Sequence, residues 1–513
     1  MCIIYSMSSN KKDKSYKRNT RKSFSKPFPE SFSEPSAPKP SFQSPSKYSS
    51  NAETQRASSR IRQSLRKYSL NKKTKAYLKK KKICTDSGAC MTFGTKDLDK
   101  IRGYFDGFTK FNFAVSKKRI GEESNSGFII EVKYERDGFI SYAILKSAMS
   151  SNSDNLAYEY YIGVHFVNDL CKRFPCFLET YGLYYYDSKI SWLNAQNKIY
   201  KFDLKTNLNF QPTINFKKAC KNSQYISILI EHINKPFTLE KLLFNAIKKN
   251  LRDFVIFDLV YILIQVYYPL VCLQDEFTHY DLHLNNVLIY KLSDNKCVEY
   301  HFQDYHSKQP MTFRTQYLVK IIDYGRSFFF KNDNLNSDAL YSKLCGYKEC
   351  KKNEDHFLGC GNELGFDTFN DPHYQYYYIE TKKRNKSHDL LLFSRIVHKY
   401  GWIPSTYQKS GVIVEYFGKT HNKMKQFRNP LKKDSFLKVC DDLIYEGLYG
   451  TPELESDPTD DKIRNVDDLY KRLFAIINEP EYISWNMSTY GEMECMSTFQ
   501  IYGHDKDKEM VVV

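Results

Sequence analysis

The sequence predicts an α+β chain. A disordered basic tail precedes a small antiparallel β-rich lobe with one helix, and a larger, mainly helical lobe follows. Three observations predict this. The chain has 513 residues, 41% hydrophobic and 16% aromatic, enough for a sizeable core. Its charge is unevenly divided: residues 1–82 carry 22 Lys and Arg against 4 Asp and Glu, and the remainder carries 55 of each sign. The hydrophobic period also changes along the body, from alternation to helical spacing.

In chain order, residues 1–95 read as the tail. The first 82 hold 18 Ser and 6 Pro with few aliphatics, too little apolar surface to offset the entropy of ordering. Lys79 to Lys82 close this stretch, and the composition becomes globular from about Lys96. Residues 1–82 are a candidate surface for nucleic acid or an acidic partner, through attraction that falls steeply with salt. Serines follow basic residues at Arg56-Ala57-Ser58-Ser59 and Arg66-Lys67-Tyr68-Ser69, which suits phosphorylation; a solvated linker is the alternative. The body, without net charge, has no bias towards nucleic acid or membranes.

Within residues 96–233, Phe128–Tyr134 and Ser141–Lys146 are the clearest strands, and Asp154–Leu170 is the helix. Further strands are expected over Phe177–Tyr186, Lys198–Leu204 and Gln224–Glu231. Residues 234–480 read as the helical lobe and 481–513 as a C-terminal tail. The 20-residue apolar stretch Phe254–Leu273 could be mistaken for a membrane span. It holds Asp258 and Gln265, and a charge at membrane depth costs about 2.5–3.5 kcal/mol, so a buried core helix is expected. The 13 cysteines are odd in number and scattered, and no signal peptide precedes them. Reduced thiols in an intracellular protein, neither secreted nor transmembrane, follow from that.

Residues 279–288 read His-Tyr-Asp-Leu-His-Leu-Asn-Asn-Val-Leu, the pattern H-x-D-L-H-x-x-N before an apolar run. Five specified positions match a random window about once in a few million. Downstream, the β-like run Tyr317–Ile322 ends in Asp323-Tyr324-Gly325. Upstream, Lys146 ends a strand and Glu159 lies on the next helix. Alone, a helical Glu is ordinarily a solvated face and D-Y-G ordinarily a turn; their order around the loop gives them meaning.

This set resembles the protein-kinase signature of strand lysine, helix glutamate, H-R-D-L-x-x-x-N loop and D-F-G. The phrases THYDLHLNNVLIY, KIIDYGRS and SHDLLLF resemble protein kinases of giant viruses of the mimivirus type. The resemblance covers about residues 115 to 480 and implies a bilobal kinase-like fold with ATP and Mg²⁺ between the lobes. It implies a protein substrate, with a Ser or Thr hydroxyl as acceptor, and, for a viral chain, location in the host cytoplasm or virion. By resemblance, Asp281 orients the acceptor hydroxyl, Asn286 and Asp323 hold Mg²⁺, Lys146 meets the α- and β-phosphates, and Glu159 pairs with Lys146. Gly121 and Gly127 flank the phosphate loop, with an ordinary hairpin turn as the alternative. Backbone groups of Glu231 and Ile233 meet adenine, with Ile230 at the back of the pocket. His279 packs and orients the loop, and Asp389 anchors its backbone.

The sequence also departs from the signature. Tyr280 stands where an Arg usually pairs with a phosphorylated activation loop. His283 stands where a Lys usually helps neutralise the transferring phosphate, and His there resembles aminoglycoside and choline kinases. No A-P-E triplet follows Gly325 before Ser387. Two further readings therefore stand beside the protein kinase: a pseudokinase that binds nucleotide or partners without catalysis, and a small-molecule kinase. Residues 291–316 look like an insertion between two strands, and residues 323–386 like an extended activation segment. Within that segment Cys345, Cys350, His356 and Cys360 are a candidate Zn²⁺ set, with four separate structural residues as the alternative. Oligomeric state is left open.

Overall fold

The computed structural model describes residues 72–74, 76, 91, 93–120, 127–148, 154–197, 202–213, 224–340, 382–399, 435–443 and 453–513. These form a mixed α/β protein whose sheets are largely antiparallel. Most of the expected tail lies outside the described residues, but its last part does not behave as a tail. Phe93 is buried against Phe499, ring centroids 4.9 Å apart, with the Lys320 ammonium 4.7 Å from its ring. Helix α1 (Thr95–Tyr104) follows at once. Aromatic anchoring thus begins a few residues before the change in composition.

Strands β1 (Ala114–Ile120), β2 (Gly127–Arg136) and β3 (Phe139–Ala148) come next. Burial alternates along β2 and β3 as period-two patterning requires. Asp137 and Gly138 join them with φ of 50° and 73°, the positive pair that a two-residue hairpin turn needs. Helix α2 (Asp154–Ile162) continues through a wider turn at Gly163–Val167 into α3 (Asn168–Arg173). A Cβ on Gly163 would lie 2.2 Å from Thr180 Oγ1, so the helix approaches the sheet only because glycine is there.

Strand β4 (Thr180–Tyr186) starts three residues later than expected. It is followed by α4 (Lys189–Gln196), α5 (Leu204–Asn207), β5 (Leu208–Gln211) and β6 (Ile226–His232). The strand expected over Lys198–Leu204 is not formed where the chain is described: Asp203 accepts a bond from Lys205 N at 2.9 Å and starts a helical turn instead. The six strands form one sheet in the order β1-β2-β3-β6-β4-β5. This part therefore carries several helices rather than one.

Beyond it run β7 (Phe237–Thr238), α6 (Leu239–Lys248) and, after a wider turn at Phe254–Asp258, α7 (Leu259–Cys272). Phe254–Cys272 is long and apolar enough to cross a bilayer, yet it is buried inside the protein as part of the largest core cluster among the described residues. Its polar residues are paired. Gln265 donates to the Tyr261 and Tyr317 carbonyls and accepts from Tyr300 OH at 2.8 Å and Val319 N at 3.2 Å. Asp258 accepts from Tyr490 OH.

After α7 come β8 (Phe277–Thr278), β9 (Val287–Lys291), β10 (Lys296–Gln303), β11 (Pro310–Thr315), β12 (Tyr317–Ile321), β13 (Phe328–Asn332) and β14 (Leu335–Asn336). Helices α8 (Leu391–Lys399), α9 (Ser435–Asp441), α10 (Val466–Ile477) and α11 (Pro480–Tyr490) precede β15 (Glu494–Ile501) and β16 (Val511–Val512). Residues 234–480, expected to be mainly helical, also carry eight strands among the described residues, and two more lie in 481–513. The segment between β9 and β12 folds as the β10–β11 hairpin, because its residues alternate between buried and exposed. Residues 481–513 are no loose tail. Trp485 stacks on Phe257 at 4.7 Å, and β15 lies parallel to β10, giving a sheet of order β11-β10-β15-β16.

Candidate active site

Lys146 sits near the end of β3, opposite Ile129 of β2 and Ile228 of β6. Pairing on both sides fixes where its side chain emerges. Its ammonium lies 2.7 Å from Glu159 Oε2 and 2.7 Å from Asp323 Oδ1. Burial alone would lower the lysine pKa, but the two carboxylates outweigh it and hold it above the usual range. Burial pushes Glu159 up to about 7 against the attraction of Lys146. Burial also works against charge on Asp323, but Lys146 prevails and keeps it below the usual carboxylate value.

Asp323 has φ of 71°, a left-handed conformation uncommon outside glycine. Its neighbours hold it there. The Tyr324 ring is buried beside His279, and its hydroxyl accepts from Leu178 N. A Cβ on Gly325 would lie 2.7 Å from Asn155 Oδ1, so a side chain there would push the Asn155 amide aside.

The loop between β8 and β9 carries the second group. The Asp389 carboxylate accepts from His279 N at 2.7 Å and Tyr280 N at 3.0 Å. Burial raises Asp389 to about 7, while those two N–H bonds pull it down. Tyr280, at φ of 60°, is thereby kept in a strained conformation. Next to it, Asp281 N donates to His279 Nδ1 at 3.2 Å, and His279 Nε2 lies 2.9 Å from Ile322 O. With Nδ1 accepting, Nε2 carries the proton and the ring is neutral, in keeping with burial lowering its pKa to about 4. Asn286 Nδ2 donates to Asp281 O at 2.9 Å, and Ile322 N donates to Asn286 O at 3.0 Å. This lattice ties the loop to the strand that leads into Asp323. Burial raises the Asp281 carboxyl above its ordinary value, and the Arg326 guanidinium opposes the shift.

Around Asp281 stand His283, Nε2 to Oδ1 3.8 Å, and Arg326, Nη1 to Oδ1 3.7 Å. Tyr280 is buried, its hydroxyl donating to Lys383 O at 2.8 Å and its ring 4.8 Å from that of His388. Ile230 is buried among Leu156, Leu183 and Ile228, with Ile144 and Ile322 packed alongside. An apolar wall thus adjoins the charged one. Glu231 N donates to Glu179 O at 2.8 Å, so a base edge would have to meet its carbonyl instead; Ile233 is buried. Gly127 opens β2, where a Cβ would lie 2.6 Å from Ser147 O. Gly121 and the loop to Ser126, the cysteines Cys345, Cys350 and Cys360, and His356 lie outside the described residues, as does most of the expected activation segment.

Lys146, Glu159 and Asp323 therefore meet directly, and Asp281, Asn286, His279 and Asp389 are joined by hydrogen bonds. Arg326 is the functional candidate that sequence reading passed over. Its position directly after D-Y-G was visible, but not its approach to Asp281. Among the described residues no three His, Cys, Asp or Glu side chains gather as a metal cluster. The donor set of Asp323 and Asn286 still suits Mg²⁺, which takes hard oxygens and keeps several waters. Asn286 spends its amide nitrogen on Asp281 O, leaving oxygen as its ligating atom. Comparison with family models and with curated proteins finds no match to either.

Proposed function

We propose that this chain is an ATP-dependent phosphotransferase with a bilobal, kinase-like arrangement, acting on a protein Ser or Thr hydroxyl. The observation that carries the reading is the Lys146 ammonium held at 2.7 Å by both Glu159 and Asp323, beside a hydrogen-bonded Asp281–Asn286 loop. Phosphoryl transfer needs positioning and charge neutralisation more than covalent help.

In this reading the apolar wall of Ile144, Ile230 and Ile322 receives adenine. Lys146, steadied by Glu159, meets the α- and β-phosphates. Asp281 accepts the hydrogen bond of the acceptor hydroxyl and takes its proton, aided by a carboxyl pKa that burial raises. Asn286 and Asp323 would hold Mg²⁺, which neutralises phosphate charge when bound. His279, neutral and bonded at both nitrogens, fixes the loop and moves no proton. His283 in place of lysine favours a second reading, a small-molecule kinase.

The test is incubation of the purified chain with γ-labelled ATP, Mg²⁺ and a generic basic protein, with Asp281→Asn and Asp323→Ala beside it. Label transfer abolished by both substitutions is expected. Transfer only to small hydroxylated acceptors would replace the protein-kinase reading with the second one. Nucleotide binding without any transfer would leave a pseudokinase.

A further inference from the structure

Two arginines, Arg326 and Arg395, act on Asp281 and His283, and among the described residues no unengaged lysine joins them there. Lys146 is engaged by two carboxylates. The position two after Asp281 holds His283, and its state follows from its contacts. His283 Nδ1 accepts from Asn285 N at 3.1 Å, so its proton lies on Nε2 and the ring is neutral. Burial lowers its pKa to about 4, in agreement. A neutral imidazole supplies one N–H, not a cation.

Arg326 supplies the cation. It directly follows Gly325, and its Nη1 lies 3.7 Å from Asp281 Oδ1. Its side chain is 35% exposed and thus open to a ligand. At that separation the contact is an ion pair and not a hydrogen bond, so the guanidinium N–H groups can turn to a phosphoryl oxygen. An arginine stays charged at any working pH and matches phosphate geometry in a two-pronged fashion.

Building on the phosphotransferase reading, we propose that Arg326 is a catalytic residue that binds the transferring phosphoryl group, replacing the lysine absent at His283. In the step itself, the acceptor oxygen forms its bond to the γ-phosphorus. The bond from that phosphorus to the β,γ-bridging oxygen breaks, and its electron pair leaves with ADP. The acceptor proton passes to Asp281. Arg326 donates to the equatorial oxygens, whose charge is most exposed midway.

The test uses the full chain and compares wild type with Arg326→Gln, Arg326→Lys and the double variant Arg326→Gln/His283→Lys. Arg326→Gln should lower kcat about 100-fold, the scale for losing one preorganised donor, with acceptor KM changed less than about threefold. Its Mg·ADP affinity should stay within about threefold of wild type, while Mg·ATP binds about tenfold more weakly. Added guanidinium ion, or the lysine at 283, should restore at least about tenfold in kcat. A kcat within about threefold of wild type overturns the proposal. So does a loss that neither guanidinium nor His283→Lys relieves, since that marks a merely structural role. If wild type transfers no label to any acceptor, the phosphotransferase reading itself fails and this assignment falls with it. That outcome differs from the others because it shows in the wild type.

Discussion

Replacing Lys146 by Met should weaken the protein in a way that depends on pH. The substitution keeps most of the aliphatic stem and removes the ammonium that lies 2.7 Å from both Glu159 and Asp323. Removing one partner of a buried pair costs about 3–5 kcal/mol. The Lys146 side chain is 21% and Asp323 38% exposed, so solvent screening brings the figure to about 2–4 kcal/mol at pH 9. Glu159 supplies the pH dependence. Its folded-state pKa, about 7 even beside the lysine, exceeds the ordinary 4.5. Its contribution to stability is therefore full below about pH 4.5, is lost as pH rises through 7, and then levels off. Without the lysine, Glu159 should hold its proton to still higher pH, and the variant should continue losing stability where wild type has stopped. The gap between the two proteins should thus be smaller at pH 5.5 than at pH 9. Urea denaturation at both pH values, compared by midpoint and slope, measures it. A gap that is equal at both, or larger at pH 5.5, would refute the electrostatic account of this triad.

Two other perturbations probe the supports. Asp389→Ala strips acceptors from two buried amides, His279 N and Tyr280 N, and should cost about 2–4 kcal/mol. Hydrogen exchange of residues 279–281 should accelerate, and unchanged exchange would show that the carboxylate does not hold the loop. Asp258 accepts from Tyr490 OH, and burial raises it to about 7 from the ordinary 3.8. Its contribution is full below about pH 4 and is lost as pH rises through 7, so wild type should lose stability relative to Asp258→Asn over that range. Parallel stability curves for the two proteins from pH 4 to 8 would count against this.

Local residue patterns read well from sequence when their partners are close or the spacing is specific. The loop His279–Asn286 was legible because its residue types are unusual together, and the strand at Lys146 because alternation persists on both sides. The β10–β11 hairpin was visible only as an interruption between two strands. Period two identifies a strand but not its neighbour, and β10 pairs with residues of β15 about 200 positions on. For the same reason residues 494–501 read as tail, since one isolated strand makes no sheet. Leu204 looks extended in sequence because Phe202, two residues before it, is also apolar, whereas the cap at Asp203 turns the chain. In sequence, Tyr280 shows only as an absent arginine. What it does instead, donating to Lys383 O across about a hundred residues, has no local signal. Arg326 belongs to the same class: its identity is plain in the sequence, but its approach to Asp281, 45 residues earlier, has no local signal.

The parallel pairing of β10 with β15 also orders events during synthesis. The β10–β11 hairpin leaves the ribosome early, with one edge of β10 unpaired until Glu494–Ile501 has been made. Throughout that interval its open N–H and C=O groups can template pairing with another nascent chain. Any product that stops short of Glu494 keeps that edge open permanently, even though every residue around Lys146, Asp281 and Asp323 is present. Truncated messages would therefore yield chains with all of the described site and a built-in tendency to aggregate.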